Sequence, residues 1–239
     1  MSNIFNGDSG FNSRMTWRAD AQELSESRYN LTIGAVLTWG FLLNFLLAQF
    51  AGPAILRMIY RAPERYSTFM IGFLIVYIAL VMIGSGMVRS YDPVKCFIGY
   101  NLIAVPVGLV VTIAAIGYDP DLVVRAALVT AIVTLIMMIV SAVVPAAFSR
   151  MGAGLGIALL AVIIVESVSM LFFRSTVTVL DWVVVGIMAL YIGVDWVRAN
   201  SVQRTTTNAI AAASALYLDI INIFLRVLRI LARSRSNDR

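Results

Sequence analysis

The sequence predicts an all-α membrane protein with seven transmembrane helices. Of its 239 residues, 60% are hydrophobic and only 13% are charged, and the mean hydropathy is +0.89. Soluble domains contain about 25% charged residues and about 45–50% apolar residues, so a soluble fold is excluded. The apolar residues lie in seven long blocks, and the short alternating segments of an outer-membrane barrel are absent.

Each block is long enough, at about 1.5 Å per residue, to cross about 30 Å of hydrocarbon as a helix. The short polar segments between the blocks indicate a compact bundle with short connections. The blocks are residues 31–51, 68–88, 96–117, 124–148, 152–173, 176–197 and 209–231. The chain therefore divides into a polar N-terminal tail (1–30), a seven-helix transmembrane domain (31–231) and a short basic C-terminal tail (232–239).

The polar tail lacks the apolar stretch of a signal peptide, so we expect the first span to be retained. Residues 16–28 are expected to form either a short surface helix or a frayed end. Basic residues divide almost evenly between the two sides of the bundle and set no orientation. The missing signal peptide and the short tails favour a prokaryotic inner membrane. A net charge of +5 suits anionic lipid headgroups, whereas the basic and aromatic interleaving of a nucleic-acid-binding protein is absent.

Several kinds of chemistry are excluded by composition. The chain has no histidine, which removes His-ligated haem, the usual zinc sites and Ser-His catalysis. Its single Cys96 forms no internal disulfide or thiolate cluster. Its one lysine, Lys95, lies between blocks, which argues against a buried retinal Schiff base, and no Gly-rich phosphate loop is present. We therefore expect no enzymatic activity and no bound cofactor.

Acidic residues within the apolar blocks require an explanation, because an aspartate at the centre of a spanning helix costs about 2.5–3.5 kcal/mol. The candidates are Glu166, Asp181, Asp195 and Asp219. Asp181 lies near the start of its block and suits a helix-start position at the interface. Glu166 lies deep in block five, where it either faces a polar interior or is protonated and bonded to a neighbouring helix.

Asp195 and Asp219 form a more specific candidate site than Asp181 or Glu166. They are equidistant from residue 207, and equidistant residues of an antiparallel hairpin lie level with each other. Two carboxylates in a poorly solvated site cannot both ionise cheaply, so they are expected to share a proton. The pair is then a proton-sensitive element, although each aspartate could instead pair with an arginine for packing.

A polar stripe follows Asp219 along the last block, because Asn222 and Arg226 lie at i+3 and i+7. Such a stripe avoids lipid, so we expect the last helix to be central with the other six around it. Arg89, at the end of block two, is the candidate cation for the aspartate pair. Its alternative role is snorkelling to headgroups.

The segment from Ser214 to Leu231, SALYLDIINIFLRVLRIL, resembles the last-helix signature of the transmembrane Bax inhibitor motif (Bax inhibitor-1) family, with its LYLD-x-x-N-x-F core. Weaker similarity appears in SRYN at 27–30, in the Met151-Gly152 turn and in ALYIGVD at 189–195, so the resemblance covers about residues 27–231. Two features differ from the family pattern. The second span lacks the glutamate of some bacterial relatives, and the sixth span ends in GVDW rather than YD.

The resemblance implies a seven-helix fold in which two three-helix layers wrap a central last helix, acting as a pH-sensitive calcium leak. It makes Asp195 and Asp219 the proton sensor and gate, with Arg89 as their latch. Glu166 and Asn222 are then candidate residues of the ion pathway. So few oxygen ligands suit weak, transient Ca²⁺ passage at Asp195 and Asp219 rather than storage.

Two other function classes stay open. The chain is alternatively a membrane-embedded modulator or partner of a larger complex, such as a membrane-protease complex. An intramembrane aspartyl protease also places two aspartates on consecutive spans. This last class is disfavoured because LYLD replaces the expected Gly-x-Gly-Asp and no Pro-Ala-Leu element follows.

Overall fold

The computed structural model describes residues 22–173 and 178–237, and all regular structure within these ranges is helical. The eight helices are α1 (Glu26–Phe50), α2 (Gly52–Arg61), α3 (Pro63–Met87), α4 (Pro93–Ala115), α5 (Pro120–Val143), α6 (Pro145–Phe173), α7 (Thr178–Ser201) and α8 (Thr206–Asn237). The first helix begins before predicted block 31–51, and the last continues beyond predicted block 209–231. Of the predicted surface helix over 16–28, residues 16–21 lie outside the described residues, residues 22–25 form no regular structure, and residues 26–28 belong to α1.

Proline and aspartate in the connecting segments set where the helices begin. Pro93 and Pro120 open α4 and α5, where the missing N–H of proline costs nothing. The side chain of Asp92 accepts a hydrogen bond from the N–H of Val94 at 2.9 Å. Asp119 caps α5 in the same way through the N–H of Asp121, at 3.0 Å.

Six of the described helices are long and apolar enough to cross a membrane: α1, α3, α4, α5, α6 and α7. The chain is therefore a multi-pass membrane protein. Helix α8, which contains the seventh predicted block, is 32 residues long and is not among these six. It differs from them in carrying four arginines and in burying most of its residues from Ala209 to Leu228.

Helix α8 packs against α1, α4, α5 and α7, so it contacts four of the six apolar helices. Its small and apolar residues, from Ala209 and Ile210 to Val227 and Leu228, belong to the main hydrophobic core. By contrast, α3 packs mainly on α4 and α6 mainly on α7. Only 6% of the most apolar segment of α3 is buried, which suits a helix that faces lipid.

A short helix that the sequence analysis treated as a connection lies between the first two spans. Helix α2 follows α1 after Ala51, and Pro53 lies in its first turn. Proline supplies no N–H and its ring crowds the preceding turn, so a bend at this point is expected. The tenth residue of α2 is Arg61, and α3 begins two residues later.

Candidate functional site along the last two helices

The hairpin between α7 and α8 is tied to the beginning of α1. The Tyr29 hydroxyl donates to the Ala199 carbonyl at 3.0 Å. The Leu24 N–H donates to the Arg204 carbonyl at 2.7 Å, and Arg204 pairs with Glu26 at 3.1 Å. These contacts place the end of α7 and the start of α8 on the face of the bundle where α1 begins, called the amino-terminal face below.

The start of α8 is fixed by its own polar residues. The Thr205 hydroxyl accepts from the Asn208 N–H at 3.2 Å, as an N-cap residue does. The Asn208 side-chain amide donates to the Gln203 carbonyl at 2.8 Å. The polar segment between blocks six and seven therefore forms a defined turn of residues 202–205.

Asp195 lies on α7, near this turn, and is 7% exposed. Its carboxylate pairs with Arg198 of the same helix, at 2.8 Å between Nη1 and Oδ1. Arg198 is not among the partners predicted above, although the i, i+3 spacing on a helix is the signal for such a pair. The candidate latch, Arg89, lies exposed in the turn between α3 and α4.

A charge cluster around the buried Asp181 joins α8 to α6 and α7 near the opposite face. Asp181, whose side chain is 2% exposed, accepts from Arg226 at 2.8 Å, from Arg229 at 2.9 Å and from Arg233 at 2.9 Å. Arg226 also holds both carboxylate oxygens of Glu166. Asp181 does lie in the first turn of α7, and three arginines compensate its burial.

The Asp181 pairs also fix the register of the hairpin. In an antiparallel hairpin, two residues that lie level are equidistant from its centre. The pairs of Asp181 with Arg226, Arg229 and Arg233 therefore place this centre between positions 203 and 207. Asp195 and Asp219 are centred on residue 207. At about 1.5 Å per residue, Asp219 lies level with Asp195 or at most about 10 Å beyond it. That these two carboxylates share a proton stays a prediction.

Along α8, the polar stripe is more open than the rest of the helix. Asp219 and Arg226 are half-buried, while Asn222 between them is exposed. The Asn222 amide donates to the Leu218 carbonyl one turn earlier, at 2.9 Å. The neighbouring residues Ile221 and Ile223 are buried in the core. Between Ala209 and Leu228 the stripe therefore marks the uncovered polar face of α8, because Asn222 is the one exposed residue in this stretch.

The opposite side of α8 is held by a buried tyrosine network. The Tyr217 hydroxyl donates to Asn44 Oδ1 of α1 at 2.8 Å and lies 3.3 Å from the Ala104 carbonyl of α4. The ring of Tyr217 packs edge-on against Tyr100, with 5.7 Å between centroids. Both rings pass over Gly40, where an added Cβ would overlap them. Because Tyr217 precedes Asp219 by two residues, this network sets the rotation of α8 at the aspartate.

No group of three or more acidic or cysteine side chains able to hold a metal ion occurs in the described parts of the chain. The carboxylates are instead distributed along α6, α7 and α8, with Asp195 near the amino-terminal face and Asp181 and Glu166 towards the other. Asp219 lies between these levels. Of these carboxylates, Asp195 pairs with Arg198, and both Glu166 and Asp181 pair with Arg226.

Comparison with known families agrees with the last-helix signature. The family model described as "Inhibitor of apoptosis-promoting Bax1" matches residues 24–237. The chain belongs to the Bax inhibitor-1 family. The match spans α1 to α8, so it includes both aspartates and the arginines of the charge cluster. No curated protein and no solved structure gives a significant match to the chain.

Within this Bax inhibitor-1 family member, the structure brings together residues that the sequence analysis treated separately. Glu166, proposed as part of an ion pathway, is a partner of Arg226. Asp181 joins the same cluster. The signal that would have found the cluster is the arginine spacing on α8, since Arg226, Arg229 and Arg233 recur at i, i+3 and i+7 on one face.

Proposed function

We propose that this Bax inhibitor-1 family member is a passive, pH-sensitive calcium leak gated by Asp195 and Asp219. The observation that supports the proposal is that these carboxylates lie on α7 and α8, the two helices of one packed hairpin. Asp195 is buried, and Asp219 is half-buried on the helix that contacts four apolar helices. In so little water, the charge of each carboxylate depends strongly on the other.

The proposed leak uses α8 as a seventh span. Its 32 residues cover about 48 Å at 1.5 Å per residue, more than the hydrocarbon thickness. Its arginines are compensated by Glu166, Asp181 and Asp119. In this arrangement two layers of three helices enclose α8, and its uncovered polar face lines the path of the ion.

Proton binding is proposed to change the attraction between the aspartate pair and nearby cations. When the pair shares one proton, its net charge is near −1 and it holds Arg198, with Arg89 as a second, movable cation. Each unit by which the pKa of the pair differs between the closed and the open state corresponds to about 1.36 kcal/mol. This is a tenfold change in the ratio of closed to open molecules. Ca²⁺ passes when the pair and its cations separate.

The test is Ca²⁺ flux into proteoliposomes containing the purified chain, measured across pH. Asp219→Asn is near-isosteric and cannot titrate, so we expect it to flatten the pH dependence while the bundle stays folded. Asp92→Asn is the matched control, since Asp92 is an exposed N-cap on the amino-terminal face and asparagine also caps helices. Absence of flux from folded wild-type protein would reject the leak and favour the modulator function.

A further inference from the structure

Helix α2 is placed at the membrane surface by its neighbours. Helices α1 and α3 each contain 25 residues, about 37 Å at 1.5 Å per residue. Each therefore spans the hydrocarbon without help from α2. The ten residues of α2 pack on α1, α3 and α4, and Gly52 lies near Thr112 in the last turn of α4. Helix α2 thus lies on the face opposite the amino-terminal face.

The two sides of α2 differ sharply in chemistry. Gly52 and Ile55 are buried against the bundle. The outward side carries Arg57, Arg61 and Tyr60, with Tyr60 79% exposed. An apolar side on the bundle, a basic outer side and an interfacial tyrosine are typical of a helix lying in the headgroup region.

The basic residues of α2 differ from those of α8 in their partners. Arg226, Arg229, Arg233 and Arg235 each pair with a carboxylate. Among the described residues, no carboxylate pairs with Arg57, Arg61 or Arg65. The Arg57 Nε donates to the Pro53 carbonyl at 3.2 Å. Helix α2 contains no acidic residue, and Glu64 is the acidic residue in the first turn of α3.

We propose that Arg57 and Arg61 of α2, together with Arg65 in the first turn of α3, form a binding surface for the headgroups of anionic phospholipids; all three side chains are exposed. Guanidinium groups bind phosphate oxygens through paired hydrogen bonds. A negatively charged headgroup supplies the countercharge that the protein does not supply to these three arginines. Each basic residue near an anionic surface strengthens association about fivefold. The surface gives the protein a preference for anionic lipid on one face of the membrane.

The preference is measured on the full-length chain reconstituted with phosphatidylglycerol and phosphatidylcholine, by native mass spectrometry of the lipids that stay bound. We expect wild type to retain phosphatidylglycerol in excess of its share of the bilayer. The variant Arg57→Gln/Arg61→Gln/Arg65→Gln should lower the ratio of bound phosphatidylglycerol to phosphatidylcholine at least fivefold. A ratio unchanged from wild type overturns the proposal.

The matched control removes the same charge from the amino-terminal face, with Arg28→Gln/Lys95→Gln/Arg150→Gln. All three of these residues are exposed, and the control should keep the wild-type ratio within about twofold. An equal fall of this ratio in the control would mean that net charge alone determines which lipid is bound. That result would reject a site on α2. If the α2 variant does not fold, wild type is compared at about 0.1 M and about 1 M salt. The ratio should fall at high salt, and a ratio independent of salt rejects the proposal.

Discussion

At the scale of single residues, Asp181 is the most deeply buried acidic residue described, so its charge has the greatest need of compensation. Its side chain is almost fully buried and faces three arginines of α8. Removing one member of a buried ion pair leaves uncompensated charge, which costs more than the pair itself contributes. Asp181 therefore matters to the folded state whether or not ions pass along α8.

Asp181→Asn is expected to lower the free energy of unfolding by up to about 3–5 kcal/mol, because its amide no longer supplies the negative charge that Arg229 and Arg233 face. Glu166→Gln should cost less, since Asp181 still compensates Arg226. Thermal or denaturant unfolding of the purified protein measures both. The matched control is Asp121→Asn, exposed in the first turn of α5. A loss for Asp181→Asn no larger than for this control would contradict the assignment.

Tyr217 tests the buried network behind α8. Tyr217→Phe keeps the edge-on ring contact with Tyr100 and removes the hydrogen bond to Asn44, so we expect a loss of about 0.5–2 kcal/mol. Asn44→Ala in the Tyr217→Phe background should cost less than Asn44→Ala alone, because the partner is already missing. Equal costs in both backgrounds would mean that the two side chains are not coupled.

At the scale of elements, the two ends of α8 are held differently. Its first turn is tied to α1 through the turn of residues 202–205. Its last turns are tied to the start of α5, where Arg235 pairs with Asp119 at 2.8 Å. The N–H of Asp121 and the Arg235 guanidinium hold the pKa of Asp119 below its ordinary value.

The end of α8 should therefore loosen in acid. A lowered carboxyl pKa contributes stability above the ordinary carboxyl range, and this contribution is lost as pH falls through the lowered value. Hydrogen exchange of residues 229–237, corrected for the intrinsic pH dependence of exchange, is expected to show reduced protection at that point. Asp119→Asn should remove the acid-dependent step and keep the N-cap of α5. The same step in both proteins would exclude Asp119 as its source.

The elements differ in how far the sequence predicts them. The apolar spans are predictable because long blocks of apolar residues are separated by short polar segments, in which N-capping aspartates such as Asp92 and Asp119 begin the next helix. Helix α2 was not predicted, because ten residues with two arginines are too short and polar for a span and follow α1 almost without a break. The position of Asp195 and Asp219 on neighbouring helices follows from their spacing, whereas the Asp181 cluster depends on how α6, α7 and α8 pack. In the sequence, the arginine spacing on α8 is the one local sign of that packing.

At the scale of the whole molecule, two kinds of polar contact surround one helix. Towards the amino-terminal face, α8 lies beside Asp195 and its partner Arg198. Towards the opposite face, four arginines of α8 are fixed by carboxylates of α6, α7 and the start of α5. A proton-dependent change is therefore proposed around Asp195 and Asp219, while the ion pairs at the opposite end keep α8 in place.

The most direct test of this account is the pH profile of Ca²⁺ flux in proteoliposomes for wild type, Asp195→Asn, Asp219→Asn and the double variant. If the two carboxylates share a proton, each single change destroys the coupling. Both single variants should then show the same flattened profile, and the double variant should add little to either. Wild-type pH dependence in both single variants, with the protein shown to be folded and reconstituted, would contradict the account.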